Sequence, residues 1–437
     1  MNIKVAKFGG TSMANKEAIL KVKDIIQSDP ERRFIVVSAP GKRFKGDEKI
    51  TDLLLASYEE KVNSGDCHIY FSKIRDRFIE IVREFGLTLD INKYLDEVEE
   101  NINKSTSPDY AASRGEYLSA LVMSEILGFE FVDSAEIIKF NKKGNFDASY
   151  TNDLVSKRLS IANGAVIPGF YGTLPDGTIK TFTRGGSDFT GSIIARGVQA
   201  DVYENWTDVD GFMTADPRIV DNPHIIDFLS YEELRELSYM GASVLHPASI
   251  FPLQSTNIPI NVRNTFNPSA VGTYILHDTS DKKTSLITGI AGRTGFTTFF
   301  VRKALMNNEV GFCRKILSIF EHYDISIEHM PTGIDTMSLI VPNDHLTDGL
   351  EFNIIEKIRG EVNPDVIFVY KNIALIAIVG HGMSNQTGTA ARVFTALANA
   401  NINIKMIDQG SSEINIIVGV NGDDLNRAIA AIYHEFF

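Results

Sequence analysis

Lys4-Val5-Ala6-Lys7-Phe8-Gly9-Gly10-Thr11-Ser12 decides how this chain is to be read. Residues 3–8 have the pattern of a strand, two glycines follow, and a helical pattern runs over 16–27. Strand, glycine pair and helix together let a backbone approach a ligand closely and set free N–H groups and positive potential beside it. The segment is not a Walker A loop, because no GxxxxGK[ST] occurs and the lysine stands before the glycines, at the strand end. Taken alone, residues 7–12 suit a phosphate cradle and a plain strand-to-helix turn equally well.

Outward from this point the same alternation continues. Residues 33–38, 129–133, 165–170 and 202–206 read as strands, several nearly continuous in apolar character, as when both faces of a sheet are covered. Residues 70–85, 116–127, 189–198 and 231–239 read as helices. The alternation predicts an α/β sandwich with a largely parallel sheet over the first 275 or so residues. A polar loop at 43–47 enters a helix at 50–58, and 66–103 reads as a charge-rich, solvated helical region.

From residue 283 the pattern changes and an internal repeat appears. With a shift of 77 residues, 311–317 falls on 388–394, 324–327 on 401–404, 337–341 on 414–418 and 298–303 on 375–380. Each copy reads strand, helix, strand, strand, helix, with strands that alternate apolar and polar residues. That is a ferredoxin-like α+β unit present twice. The domains expected are 1–282, 283–370 and 371–437, the last either a unit of its own or an insertion into the second with an exchanged strand.

Other motifs carry chemistry. Arg184-Gly185-Gly186-Ser187-Asp188 precedes a helix and forms a second glycine-lined cradle, flanked by an arginine suited to bidentate capture of a carboxylate. Asp188 suits a helix cap as well as a substrate contact. Pro168-Gly169-Phe170-Tyr171-Gly172 is a further turn after a strand. Two cradles at strand ends of one α/β sheet fit a nucleotide on one side and a second anion on the other, which suggests phosphoryl transfer. Trp206-Thr207-Asp208-Val209-Asp210-Gly211 and Asp216-Pro217-Arg218 form a carboxylate-rich loop with a cation that could reach phosphate. Ser113-Arg114-Gly115-Glu116 reads as a loop entering a helix, with Glu116 serving the helix dipole or a substrate ammonium. His246, in Leu245-His246-Pro247, reads as structural.

Composition narrows the class. The 437 residues suggest about three domains. A net charge of −13 argues against a general nucleic-acid binder or a basic membrane-surface protein. Cys67 and Cys313 form neither a zinc cluster nor a disulfide framework, and no His pair has metal-ligand spacing, so no protein-built metal site is expected. No apolar run approaches the ~18 residues of a membrane span, and the start lacks a signal-peptide core, so a cytoplasmic location is expected.

Read as a set, the motifs at 7–12, 184–188 and 206–211 resemble aspartokinase, of the amino-acid kinase fold. Val37-Ser38-Ala39-Pro40, Ser113-Arg114-Gly115-Glu116 and Gly241-Ala242-Ser243-Val244-Leu245-His246-Pro247 extend the resemblance, and the paired repeat resembles that family's two ACT domains, including residues 407–413. The resemblance covers essentially the whole chain and implies an amino-acid kinase αβα sandwich followed by two ACT domains. It implies phosphorylation of the side-chain carboxylate of L-aspartate from MgATP, the opening step toward lysine, threonine and methionine.

The implied roles are these. Lys7 and Asp188 are catalytic, and Gly9, Gly10, Thr11 and Ser12 hold phosphate. Ser38, Thr51, Glu116, Arg184, Gly185, Gly186 and Ser187 form the aspartate pocket, with Arg184 on the α-carboxylate and Glu116 on the ammonium. Thr207, Asp208, Met213, Arg218, Ser243 and Val244 lie on the nucleotide side, where Met213 replaces a frequent aromatic and Ser243 a frequent lysine. Mg²⁺ is carried by ATP. Met306, Glu309, Gly311, Phe312, Cys313, Ile327, Glu328 and Thr332 match the effector site of lysine-sensitive relatives, and Ile334 replaces a residue that is acidic in some of them. A monofunctional, lysine-inhibited enzyme is expected, with threonine as the rival effector and a homodimer or dimer of dimers through the ACT domains. Other readings are another acid kinase of the fold, such as a glutamate 5-kinase, and a catalytically silent amino-acid sensor.

Overall fold

The computed structural model describes residues 2–183, 185–242, 244–279, 282, 285–347, 349–384 and 386–437. The chain packs as two units. The first comprises Met1–Phe212, Ile225–Leu234 and Val244–Lys282; the second comprises Met213–His224, Arg235–Ser243 and Lys283–Phe437. Two short segments before residue 282, Met213–His224 and Arg235–Ser243, thus pack with the repeat region.

In the first unit, strands β1 (Lys4–Phe8), β2 (Arg32–Val37), β3 (Glu130–Phe131), β4 (Ala165–Pro168), β7 (Val202–Thr207), β8 (Phe228–Ser230), β9 (Ile260–Asn264) and β10 (Thr273–Leu276) form an eight-stranded sheet in the order β3-β4-β2-β1-β7-β9-β10-β8. Only the β9–β10 pairing is antiparallel. A hairpin of β5 (Tyr171–Thr173) and β6 (Ile179–Thr181) lies apart from it. Helices α1 (Lys16–Gln27), α2 (Ile50–Ser64), α3 (His68–Phe85), α4 (Ile91–Lys104), α5 (Pro108–Leu127), α6 (Ser134–Ile137), α7 (Ala148–Leu159) and α8 (Gly186–Gly197) join these strands, and α9 (Tyr231–Tyr239) begins in this unit and ends in the second.

One core runs from Phe8, Ile35 and Val37 through α2, α3, α4 and α5. Its central strands are apolar on both faces, because helices cover both sides of a parallel sheet. One exception is charged and paired: Arg32 donates to both oxygens of buried Glu204 at 2.7 and 3.1 Å, and the Trp206 indole adds a bond of 2.9 Å.

The motif at 113–116 is not a loop entering a helix. Helix α5 starts earlier, at Pro108, with Ser107 accepting from the Asp109 N–H, so the motif sits mid-helix. Gly115 misleads sequence reading because mid-helix glycine is unfavourable. Packing explains it: a Cβ there would lie 2.6 Å from the Ala39 Cβ.

In the second unit a five-stranded sheet runs in the order β12-β11-β13-β15-β14, built from β11 (Gly289–Arg302), β12 (Thr336–Pro342), β13 (Val366–Val379), β14 (Met406–Asp408) and β15 (Asn415–Asn421). Strands β11 and β13 are long and antiparallel, and each serves both repeats. The start of β11 pairs with the end of β13, which pairs on with β15; the end of β11 pairs with the start of β13 and with β12. Helices α10 (Phe312–His322) and α11 (Leu350–Val362) pack on one end around Phe299 and Leu339. Helices α12 (Thr389–Asn399) and α13 (Leu425–Phe436) pack on the other around Ile376 and Val418. The repeat is imperfect: where the second copy has β14, the first has only isolated bridges at His329 and Thr332. Among the described residues, no helix is long and apolar enough to cross a membrane.

Candidate active site

Parallel register brings the strand ends together. Phe8 is aligned with Val37 on one side and Trp206 on the other, and Val37 with Pro168. Gly9, Ser38, Thr207 and Gly169 therefore leave the sheet along one carboxyl edge, where open α/β sheets bind ligands.

At this edge the Gly9 N–H bonds the Trp206 carbonyl at 3.1 Å, and a 3-10 turn, Gly10–Met13, follows. The helix proper begins later, capped by the Asn15 side chain. The Ser12 hydroxyl is tied to Thr265 at 2.8 Å and is fully buried, so Ser12 fixes the turn more than it faces a ligand. The first N–H groups of a helical turn lack intrahelical acceptors and are free for an anion.

Lys7 is the last but one residue of β1, and its buried ammonium pairs with the Asp188 carboxylate in the first turn of α8. Asn205, directly beside Lys7 in register on β7, donates to the same carboxylate oxygen at 2.9 Å. The backbone enters α8 through Gly185 in the left-handed region, φ 58°. Gly186 lies so close to Phe170 that a Cβ would sit 2.3 Å from its ring, which forces the second cradle onto the turn at 168–172. Ser187 closes against Gly169 in the same way. Arg184 lies outside the described residues.

Ser38 follows β2 and is anchored by its N–H to the Phe8 carbonyl at 3.1 Å. Thr51 stands in the first turn of α2, whose start is bonded to the Pro40 carbonyl. Glu116 is buried, and its Oε2 has no partner. Burial pushes its carboxyl up to about 8, against the opposing pull of a backbone bond at Ala39 and of the Arg114 charge. Gly115 sets this helix against Ala39 and Ile50, so Ser38, Thr51 and Glu116 share one packed corner. A buried acid with an orphaned oxygen is what an ammonium ligand would complete.

Among the residues expected on the nucleotide side, Thr207 ends β7 and Asp208 follows it, and Asp210 braces the loop by accepting from Asn264 and Asn267 at 2.8 and 3.1 Å. Val244 belongs to the first unit, whereas Met213 and Arg218 belong to the second. The exposed Arg218 guanidinium is held by Asp216 two residues away, at 2.6 Å. Ser243 lies outside the described residues. His246 caps the turn Pro247–Leu253, a structural duty. Among the described residues, no group of three His, Cys, Asp or Glu side chains could hold a metal ion.

Of the effector residues expected in the second unit, Met306, Phe312 and Ile327 share one core, while Glu309 and Glu328 are held by different partners. The loop of Met306 and Glu309 is tied to the facing turn by the Asn307 N–H bond to Ile334. Met306 and Phe312 are core residues, Cys313 and Thr332 are exposed, and Gly311 opens α10 at φ 83°. Both acids are engaged. Glu309 pairs with Lys303 at 2.5 Å and Lys315 at 2.8 Å. The Glu328 side chain is only 3% exposed, with Arg293 at 3.5 Å and the Tyr239 hydroxyl donating at 2.5 Å.

Comparison with known proteins decides the family. The amino acid kinase family matches residues 2–264, and an ACT domain matches 376–436. The chain is 38% identical to aspartokinase 3 of Bacillus subtilis, over all of this chain and 99% of that one.

The chain belongs to the aspartokinases of the amino acid kinase family.

The aspartokinase fold extends to solved structures. Clostridium acetobutylicum aspartate kinase, described as an allosteric enzyme, superposes with a TM-score of 0.92 at 51% identity, with both chains fully covered. Escherichia coli aspartokinase III in complex with aspartate and ADP gives 0.76 at 27% identity, again over the whole of both chains. The same enzyme with lysine and aspartate gives 0.75 at 28%, over all of this chain and 99% of that one. The chain is thus an ATP-dependent aspartate kinase with an allosteric ACT region, and Mg²⁺ accompanies its nucleotide.

Sequence reading missed Asn205. A buried asparagine in a central strand, between Tyr203 and Trp206, was the available signal. It also missed the charged clip of Arg43, Asp47 and Arg77, in which Arg77 reaches partners 30 and 36 residues away.

Proposed function

We propose that aspartate lies between the two glycine-lined cradles, with its ammonium on Glu116 and its α-carboxylate on Arg184. MgATP lies along Gly9, Gly10, Thr11, Thr207 and Asp208, and Lys7 shares its charge between Asp188 and the phosphoryl group in transfer. The observation that carries this reading is the cluster of buried Lys7 and Asn205 around partly buried Asp188, at the meeting of β1, β7 and α8.

The chemistry suits these residues. A side-chain carboxylate is already ionised at pH 7, so no general base is needed. Its oxygen bonds to the γ-phosphorus as the bond from that phosphorus to the β–γ bridging oxygen breaks, and ADP leaves with the electron pair. Anions must approach one another, so catalysis rests on positioning and positive charge. Asp188 and Asn205 keep the Lys7 ammonium at the strand end, and the turn supplies backbone N–H groups.

We read the regulation as inhibition by L-lysine, at the loop of Met306–Glu309 and the irregular segment of Ile327, Glu328 and Thr332, with Glu328 receiving the lysine ammonium. A relative named lysine-sensitive aspartokinase 3, from Escherichia coli, is 28% identical over all of this chain, which supports that choice. Inhibition requires lysine to bind an inactive state more tightly than the active one. The product opens the route to lysine, threonine and methionine. A homodimer or dimer of dimers through the ACT region and a cytoplasmic location complete the proposal.

Purified protein incubated with MgATP, L-aspartate and hydroxylamine tests both parts. Hydroxylamine traps an acyl phosphate as a coloured hydroxamate. Colour that falls with added lysine is expected. Colour indifferent to lysine would refute the effector and point to threonine, and no colour with aspartate would refute the substrate.

A further inference from the structure

The loop between β2 and α2 is held by a residue far from it in sequence. Arg77, in the middle of α3, is only 5% exposed. Its Nη2 donates to the Gly41 carbonyl at 2.7 Å, and its Nη1 to the Asp47 carboxylate at 2.9 Å. The Gly41 peptide continues the connection, since its N–H donates to the Gly10 carbonyl at 2.8 Å. Arg77 is therefore two hydrogen bonds from the second glycine of the phosphate turn.

The contact is close and oriented. A Cβ on Gly41 would lie 2.8 Å from the carbonyl carbon and oxygen of Gly10 and 3.1 Å from the Thr11 nitrogen. No side chain can separate the two backbones. Asp47 locks the loop from its other end: it accepts from the Arg43 N–H and Nε, both at 2.9 Å, and from Arg43 Nη2 at 3.1 Å. The loop between these anchors is exposed and carries Lys42, Arg43 and Lys45, a surface that has no core to hold it in place. Arg43 and Arg77 together hold the Asp47 carboxyl well below the usual carboxylate range.

We propose that Arg77 is a positioning residue for phosphoryl transfer, fixing the Gly10–Thr11 peptide through Gly41 and Asp47. The inference rests on the reading of residues 9–12 as the phosphate turn. A guanidinium suits the task because it can satisfy a carbonyl and a carboxylate at once in a fixed fork, which an ammonium cannot. The part of the reaction it serves is the nucleotide's, since Gly41 leans on Gly10 and Thr11 and not on the α8 cradle.

Steady-state kinetics, MgADP calorimetry and melting temperature test the proposal on wild type, Arg77→Gln, Arg77→Lys, Asp47→Asn and, as a packing control within α3, Phe78→Leu. Small displacements of reacting groups cost up to ~10²-fold. The expected results for Arg77→Gln and Asp47→Asn are a rise of about tenfold in the KM for MgATP, a matching loss of MgADP affinity, and an aspartate KM within about twofold of wild type. Arg77→Lys should recover part of the loss through the Gly41 bond alone. Phe78→Leu, buried on the same helix, should lower the melting temperature and leave both KM values in place. Clip variants that melt lower yet keep wild-type KM and MgADP affinity would overturn the proposal and leave Arg77 a packing residue. A rise in the aspartate KM alone would overturn it as well. Wild-type protein that turns over but whose MgADP affinity is unmoved by Gly10→Val would overturn the reading of the turn, and the clip's role with it.

Discussion

Lys7 and Asp188 form a largely buried ion pair between the end of β1 and the first turn of α8, and Asn205 donates to the same Asp188 oxygen at 2.9 Å. The pair joins the two cradles, because Lys7 precedes the phosphate turn and Asp188 closes the second. Lys7→Ala should lower kcat by about 10²–10³-fold, the range for removing one fixed electrostatic partner of a transition state. Asp188→Asn keeps the shape but frees the ammonium from its anchor, so kcat should fall while the KM for aspartate moves less. Unchanged hydroxamate formation in Lys7→Ala would sink the role given to Lys7.

The aspartate ammonium has its predicted partner in Glu116, and here pH is the test. Burial pushes this carboxyl up to about 8 in the free protein. At pH 7 the free enzyme then holds it mostly protonated, while an ammonium ligand requires the carboxylate. Aspartate binding should release a proton, and kcat/KM for aspartate should climb by up to about tenfold per pH unit below 8 and flatten above it. The stability sign follows from a folded pKa raised above the ordinary 4.5: this contribution is full below 4.5 and is lost as pH rises through about 8. Ligand-free protein should melt lower across that window, and Glu116→Gln should flatten both profiles. A kcat/KM profile with the same slope in wild type and Glu116→Gln would exclude Glu116 as the ammonium partner.

These residues show how much the sequence disclosed. Helices α1 and α9 and the ends of β1 and β2 were legible because local periodicity and glycine punctuation mark them. The strand, turn and helix boundaries around Lys7 and Asp188 were legible for the same reason. Helix α5 was not, because Gly115 answers to Ala39 and Ile50 across the fold and not to its own helix. The doubled use of β11 and β13 rests on pairing between positions 64 to 90 residues apart; the repeat alignment gives the copies, and the exchanged strand was an expectation beyond it. Asn205 and Arg77 act through partners brought near only by folding, as do Tyr239 and Glu328.

Gly115 itself gives a prediction in which two effects oppose each other. Glycine to alanine inside a helix ordinarily gains about 0.5–1 kcal/mol. Here the new Cβ would lie 2.6 Å from the Ala39 Cβ and 3.2 Å from the Ile50 Cγ2, and overpacking of a well-filled core costs about 1–3 kcal/mol. Overpacking should win, so Gly115→Ala should be less stable in denaturant titration. It should also raise the aspartate KM, because the helix carrying Glu116 must move away from Ser38 and Thr51. A stabilised Gly115→Ala would show that the corner has slack.

The last prediction concerns effector sensitivity. Glu328 is the acid proposed to receive the lysine ammonium, yet its buried carboxylate already accepts from Tyr239 at 2.5 Å. Burial and the neighbouring carboxylate push the Tyr239 phenol up to about 12, so it remains a donor throughout the working pH range. An incoming ammonium must therefore compete with this hydroxyl, and a hydrogen bond to a charged group is worth about 1.5–3 kcal/mol. Tyr239→Phe removes the competitor and keeps the ring, so half-inhibition by lysine should require about tenfold less ligand, near the lower end of that range. Glu328→Gln should weaken inhibition while basal turnover stays near wild type. Titration of lysine against hydroxamate formation reads both variants. Lysine sensitivity unchanged in both would move the effector's ammonium away from Glu328, leaving Glu309, now held by Lys303 and Lys315, as the acid to test next.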